Sequence, residues 1–209
     1  MKGCRLVKFV VFGIMLFFFV QSTAVAQQFY GAASLGIAGV PMKDQAKEDG
    51  LYEEINDDVS VTAFRVLAGV KVLPYAMFEV GYIGFGDVKF DGKWTWEGVQ
   101  FEDKGTISTS GISASVVGVY SLVERISLLG KLGLFRYSVE ENENFDGTDY
   151  SNSATGFSPI FGIGVLGKLV DNFGARIEWQ HIFKVGEKGE TGETEINAFW
   201  ASIVYYFGI

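Results

Sequence analysis

A single histidine, a single cysteine and 25 carboxylates are what this chain offers to acid–base, nucleophilic or metal chemistry. Cys4 sits among Lys2, Arg5 and Lys8 in a segment that reads as removed on secretion, so no thiol or disulfide chemistry is expected of the mature protein. His181 is followed by Ile182 and Phe183 and has no hydroxyl or carboxylate beside it in sequence. A lone histidine near a strand end reads as an interfacial residue rather than as a base. The acids Asp44, Glu48, Asp49, Glu53, Glu54, Asp57 and Asp58 lack the glycine-punctuated spacing of a calcium loop. Gly36-Ile37-Ala38-Gly39 and Gly162-Ile163-Gly164 are not phosphate loops, because no helix follows them. With no His or Cys cluster for a metal, no catalytic, cofactor or metal site is expected.

A second set of charged residues stands out by register. Arg65 and Lys71 interrupt a face opposite Phe64, Val66, Ala68 and Val70. Glu79 alternates with Phe78, Val80 and Tyr82, and Lys131 with Leu128, Leu132 and Leu134. Arg176 and Glu178 alternate with Ala175, Ile177 and Trp179. Alternation of this kind gives a strand one apolar and one polar face. If the apolar face meets lipid, the polar one must line an interior, since Arg or Lys at the bilayer midplane costs roughly 2–4 kcal/mol. Arg65, Lys71, Glu79, Lys131, Arg176 and Glu178 are therefore expected to point inward and pair. An interior of eight strands is narrow and fills with side chains, so the network should plug the barrel. A narrow or gated ion path is the alternative.

The elements that must position these residues are legible from turns. Leu73-Pro74-Tyr75, Leu122-Val123-Glu124-Arg125 and Leu169-Val170-Asp171-Asn172 are short turns. They alternate with four long acidic segments near 39–60, 87–108, 140–154 and 185–195. Every acid except Glu79, Glu124, Asp171 and Glu178 falls in those segments. Strands are expected near 28–38, 61–72, 76–87, 109–120, 126–139, 155–168, 173–184 and 195–207. Each suffices for a tilted crossing of about 9–11 residues. Short turns at one end and long loops at the other define an all-β fold: an eight-stranded antiparallel up-and-down transmembrane β-barrel. A propeller blade would need four short strands per repeat, whereas here two long runs separate successive turns.

The ends agree with that destination. Lys2, Arg5 and Lys8 precede an apolar run from Phe9 to Val20, and Ala24-Val25-Ala26 has the pattern of a cleavage site. The run is too short for a spanning helix of about 20 residues. Residues 1–26 are thus expected to be a cleaved signal peptide and 27–209 the barrel domain. The composition is 48% hydrophobic, spread in alternation rather than in blocks, with 27 glycines. The net charge of −8 argues against nucleic acid as a partner. The last strand places Phe199, Ala201, Ile203, Tyr205 and Phe207 on one face, an aromatic-ended pattern that suits recognition by outer-membrane assembly machinery.

Several stretches carry a resemblance. These are Gly118-Val119-Tyr120-Ser121-Leu122 running into Ser127-Leu128, and Gly162-Ile163-Gly164-Val165 leading through Val170-Asp171-Asn172 into Arg176-Ile177-Glu178-Trp179, with Tyr205-Tyr206-Phe207 at the end. Glycine-rich strands that enter a short Asp/Asn turn and leave as Arg-x-Glu-aromatic resemble the OmpA-like transmembrane barrels. That wider family of small outer-membrane proteins includes opacity-type and Ail/OmpX-type surface barrels. The acidic segments are also similar to those of accessory colonisation factor barrels of vibrios. The resemblance covers 27–209 and includes no peptidoglycan-binding domain, so a tethering role is not expected. It implies the Gram-negative outer membrane, contact with lipid and lipopolysaccharide, and a monomer.

The function expected is non-catalytic: acidic extracellular loops used for surface interaction, adhesion or envelope integrity. Leu51, Tyr52, Phe145 and Tyr150 are the aromatic and apolar contact candidates among those acids, aimed at a host or environmental ligand. A narrow porin is the alternative. An outer-membrane lipid-modifying enzyme is weaker still, because a deacylase of this size would need a His-x-Ser pair and Phe183 stands where the serine would be.

Overall fold

The computed structural model describes residues 28–41, 58–96, 99–145, 148–187 and 193–207. The expected signal peptide, residues 1–26, therefore lies outside the described residues, as do Leu51 and Tyr52. Among the described residues nine strands are present: β1 Gln28–Pro41, β2 Asp58–Leu73, β3 Ala76–Phe85, β4 Val88–Trp96, β5 Val99–Val123, β6 Ile126–Phe145, β7 Thr148–Val170, β8 Phe173–Val185 and β9 Thr194–Phe207. The sheet order β3-β2-β1-β9-β8-β7-β6-β5-β4 is closed by pairing of β3 with β5. All neighbours are antiparallel. β3 and β4 pair with successive stretches of β5, opposite Ser110–Gly118 and Val99–Ile107. They are two segments of one stave broken at Gly86-Asp87, so the barrel has eight staves. Closure leaves no lipid-exposed strand edge, the condition for crossing a bilayer as β-structure.

The three short turns stand where the sequence puts them, with Pro74-Tyr75, Glu124-Arg125 and Asp171-Asn172 at their tips. Each carries the same irregularity just before it, at Lys71/Leu73, Ser121/Val123 and Lys168/Val170. The residue passed over is Val72, Leu122 or Leu169. The repeat therefore aligns Val72, not Leu73, with the other two leucines. Each turn also accepts a backbone hydrogen bond from the strand after its own hairpin. The N–H groups of Val119, Lys168 and Tyr206 donate to the carbonyls of Tyr75, Arg125 and Asn172, each at 2.8 Å.

Alternation sorts the side chains into two faces. Leu35, Ile37, Val66, Leu132, Ile177 and Ile203 are exposed on the outer wall. Phe29, Tyr75, Tyr120, Phe173, Tyr205 and Phe207 are exposed toward its short-turn end, as in an aromatic girdle. The inward face is buried and holds two apolar layers. The one nearer the short turns contains Tyr30, Ala32, Leu67, Met77, Val117, Leu129 and Val204. The far one is larger and includes Ile83, Phe85, Phe135, Ile160, Ile182, Ile196 and Trp200.

Two of the expected loops are not loops. Residues 88–96 and 99–107 lie in β4 and the start of β5, paired from Val88↔Ile107 to Trp96↔Val99. Residues 140–145 and 148–154 continue β6 and β7, paired from Glu140↔Ser153 to Phe145↔Thr148. Phe145 and Tyr150 are thus strand positions. The physical reason is local. Asp146-Gly147 is a two-residue hairpin signal, and Trp94-Thr95-Trp96 and Phe101 are strand formers despite the interspersed acids.

Candidate functional site

Between the two apolar layers lies a layer of charge. β2 supplies Arg65, β3 Glu79, β6 Lys131, and β8 Arg176, Glu178 and Gln180; all are buried. The arrangement follows from strand alternation, because each stands between two residues of the lipid-facing wall. Glycines leave room for it. A Cβ on Gly162 would press the Trp179 carbonyl oxygen at 3.1 Å and would just touch Lys131 Cβ at 3.5 Å. A Cβ on Gly69 would come within 2.6 Å of the Tyr30 ring, at Cε1.

Glu178 is the hub. Arg65 Nη1 and Lys131 Nζ reach its Oε1 at 2.8 and 3.0 Å, and Arg176 Nη2 pairs with its Oε2. Glu79 is the second hub, with Arg176 Nη1 at 2.5 Å and Lys131 Nζ at 2.9 Å. The Tyr30 hydroxyl donates to Glu79 Oε1 at 2.8 Å. Arg65 also donates from Nη1 to Gln180 Oε1 at 2.9 Å and from Nε to Ser34 Oγ at 3.4 Å. Ser34 and Ser202 share a 2.8 Å hydrogen bond. Buried ions are tolerated only when paired and hydrogen-bonded like this.

Of the six charged residues expected to line the lumen, this layer brings together Arg65, Glu79, Lys131, Arg176 and Glu178. Lys71 stands apart. It is half-buried and lines an open cavity of about 230 Å³ at the short-turn end, with Gln28, Tyr30, Arg125, Lys168 and Tyr206. It makes no ion pair among the described residues. Tyr30, Ser34, Ser202 and Trp200 belong to the layer or border it and were not singled out by their sequence. The same alternation that exposes Phe199 and Ala201 would have turned Trp200 and Ser202 inward.

His181 lies on the outer face of β8, with Nδ1 2.9 Å from Asn197 Oδ1 and Nε2 3.6 Å from Glu195 Oε2. Phe183 packs edge-on against its ring at 4.2 Å. Among the described residues no group of His, Cys, Asp and Glu has the makings of a metal site.

The comparisons with known proteins decide the family. Residues 24–209 match the family model described as the OmpA-like transmembrane domain. The chain belongs to that family. Outer membrane protein A of Klebsiella pneumoniae is 26% identical over 156 residues, covering 73% of this chain and 42% of that protein. Outer membrane protein A of Salmonella typhi is 23% identical over 190 residues, covering 90% of this chain and 51% of that protein. The chain thus spans about half the length, or less, of these curated relatives. Two solved structures share the fold. Neisserial surface protein A has a TM-score of 0.57 at 13% identity, covering 86% of this chain and 97% of that one. The attachment invasion locus protein Ail of Yersinia pestis has a TM-score of 0.55 at 12% identity, covering 86% and 98%. This OmpA-like barrel belongs to the Gram-negative outer membrane.

Proposed function

We propose that the protein is a non-catalytic, monomeric surface barrel that carries rigid acidic hairpins above the outer leaflet for contact with a partner. The observation that carries this is the continuation of β4–β7 as paired strands beyond the last buried layer. Val139 and Ala154 are the outermost buried positions described on β6 and β7. Pairing continues from there to Phe145↔Thr148. Six further residues amount to about 20 Å of strand. Those strands carry Glu140, Glu141, Glu143 and Asp149, and the adjoining hairpin carries Asp91, Glu102 and Asp103.

The charge selects among partners. Ail has been solved in complex with the heparin analogue sucrose octasulfate. A polyanion of that kind is repelled by acidic strands, so the reading here is a cationic or neutral carbohydrate surface. Leu51, Tyr52, Phe145 and Tyr150 serve as the anchors. The outer wall meets lipid and lipopolysaccharide, and the aromatic last strand serves assembly. Cleavage near Ala26 precedes insertion.

The lumen speaks against the porin alternative, because the apolar layer around Phe85, Phe135 and Trp200 lies above the charges. The outer wall speaks against a lipid-modifying enzyme, because the residue packed on His181 is Phe183 and not a nucleophile. The test is to replace 140–153 with a two-residue turn joining Val139 to Ala154, and to shorten 42–57. A folded, heat-modifiable barrel that has lost cell-surface adhesion supports the reading. A trimmed barrel with full adhesion overturns it.

A further inference from the structure

The charged layer lacks one negative charge. Among the described residues the buried charged side chains of the lumen are Arg65, Lys131 and Arg176 against Glu79 and Glu178. Three cations against two carboxylates leave one positive charge, walled by apolar layers on both sides. A buried charge without a counter-ion is strongly unfavourable. The hydrogen-bond inventory carries the same imbalance independently. Arg65 Nη2, Arg176 Nε, Gln180 Nε2 and Trp200 Nε1 are buried without a partner. All four are donors. The other atom without a directed hydrogen bond, Glu79 Oε2, faces the Lys131 ammonium at 2.9 Å. Among the described residues the lumen is short of acceptors and of negative charge.

Two of these donors, on Gln180 and Trp200, belong to side chains that each touch Arg65, which carries a third. Arg65 donates to Gln180 Oε1 through its other terminal nitrogen and lies over the Trp200 ring. Water would meet the donors but would bring further hydrogens into a site already poor in acceptors. A small monovalent anion meets both deficits at once. We propose that the lumen holds one halide-sized anion, chloride in the native membrane, bound by Arg65, Gln180 and Trp200. The short-turn mouth, with Lys71, Arg125 and Lys168 around its cavity, draws anions to that end of the barrel.

The test uses the whole barrel refolded in detergent. Crystals grown in sodium bromide should show one anomalous peak within hydrogen-bond distance of Arg65 Nη2 and Trp200 Nε1. A water there, or bromide only elsewhere, overturns the proposal. In solution, unfolding is compared in sodium chloride and sodium gluconate at equal ionic strength. Above half-saturation, each tenfold rise in chloride should raise the folding constant up to tenfold. Arg65→Met removes the surplus charge and should abolish the dependence. Trp200→Phe keeps the packing and should move half-saturation to higher chloride, and Lys71→Ala should change neither. Equal chloride dependence in the wild type and both site variants overturns the proposal, as does none in the wild type.

Discussion

The Arg65 guanidinium carbon lies 4.7 Å from the centroid of the Trp200 ring. One residue belongs to the charged layer and the other to the apolar layer above it, so this contact welds the two. A cation over an indole is worth about 2 kcal/mol or more when desolvated. It also fixes Arg65 where it can reach Glu178 and Gln180.

Removing a hub should cost more than removing a spoke. Glu178 holds three cations and Glu79 two. Glu178→Ala strands buried positive charge and should destabilise by about 3–5 kcal/mol. Urea unfolding from vesicles measures it. A loss smaller than that of Arg65→Met would contradict the hub assignment.

The two layers make opposite predictions for conductance. If charge pairing closed the lumen, Glu79→Ala would open it. The apolar layer lies above, with Phe85 and Phe135 edge-to-face at 6.2 Å and Phe85 and Trp200 at 6.3 Å. Planar-bilayer recordings of Glu79→Ala should therefore stay silent like the wild type. The double variant Phe135→Ala, Trp200→Ala should stay silent too, because Leu67, Met77, Val117 and Leu129 still fill the lumen on the short-turn side.

Gly36 is set against the same indole. A Cβ there would meet Trp200 Cε3 at 2.7 Å and the Phe199 carbonyl oxygen at 2.5 Å. Gly36→Ala should cost about 1–3 kcal/mol by overpacking. Equilibrium unfolding reads the loss, and an unchanged midpoint would count against this packing.

Sidedness can be read on intact cells, since residues 27–209 carry no cysteine. A membrane-impermeant thiol reagent should label Gly147→Cys and spare Glu124→Cys. The reverse pattern would invert the barrel.

Much of this was legible in the sequence, for a stated reason. Arg65 and Lys71 share one parity in β2 although Leu67 breaks the polar alternation between them, and a barrel wall has only two faces, so the two charges set the register of β2. Two-residue turns such as Asp171-Asn172 are equally local. The reach of β4–β7 was harder to read, because acids at Glu140, Glu141 and Glu143 mimic a solvated loop while Asp146-Gly147 marks a hairpin. Which charges share a hub depends on non-local register. Glu79 and Arg176 meet across 97 positions of sequence, and no local pattern encodes that.

The continued pairing of β6 and β7 has a practical side. A foreign peptide spliced between Phe145 and Thr148 would ride on a stiff, hydrogen-bonded mast instead of a floppy leash. It would sit about 20 Å along the strands from the last buried layer, which makes this hairpin a natural place to mount an antigen or an affinity tag on a living cell.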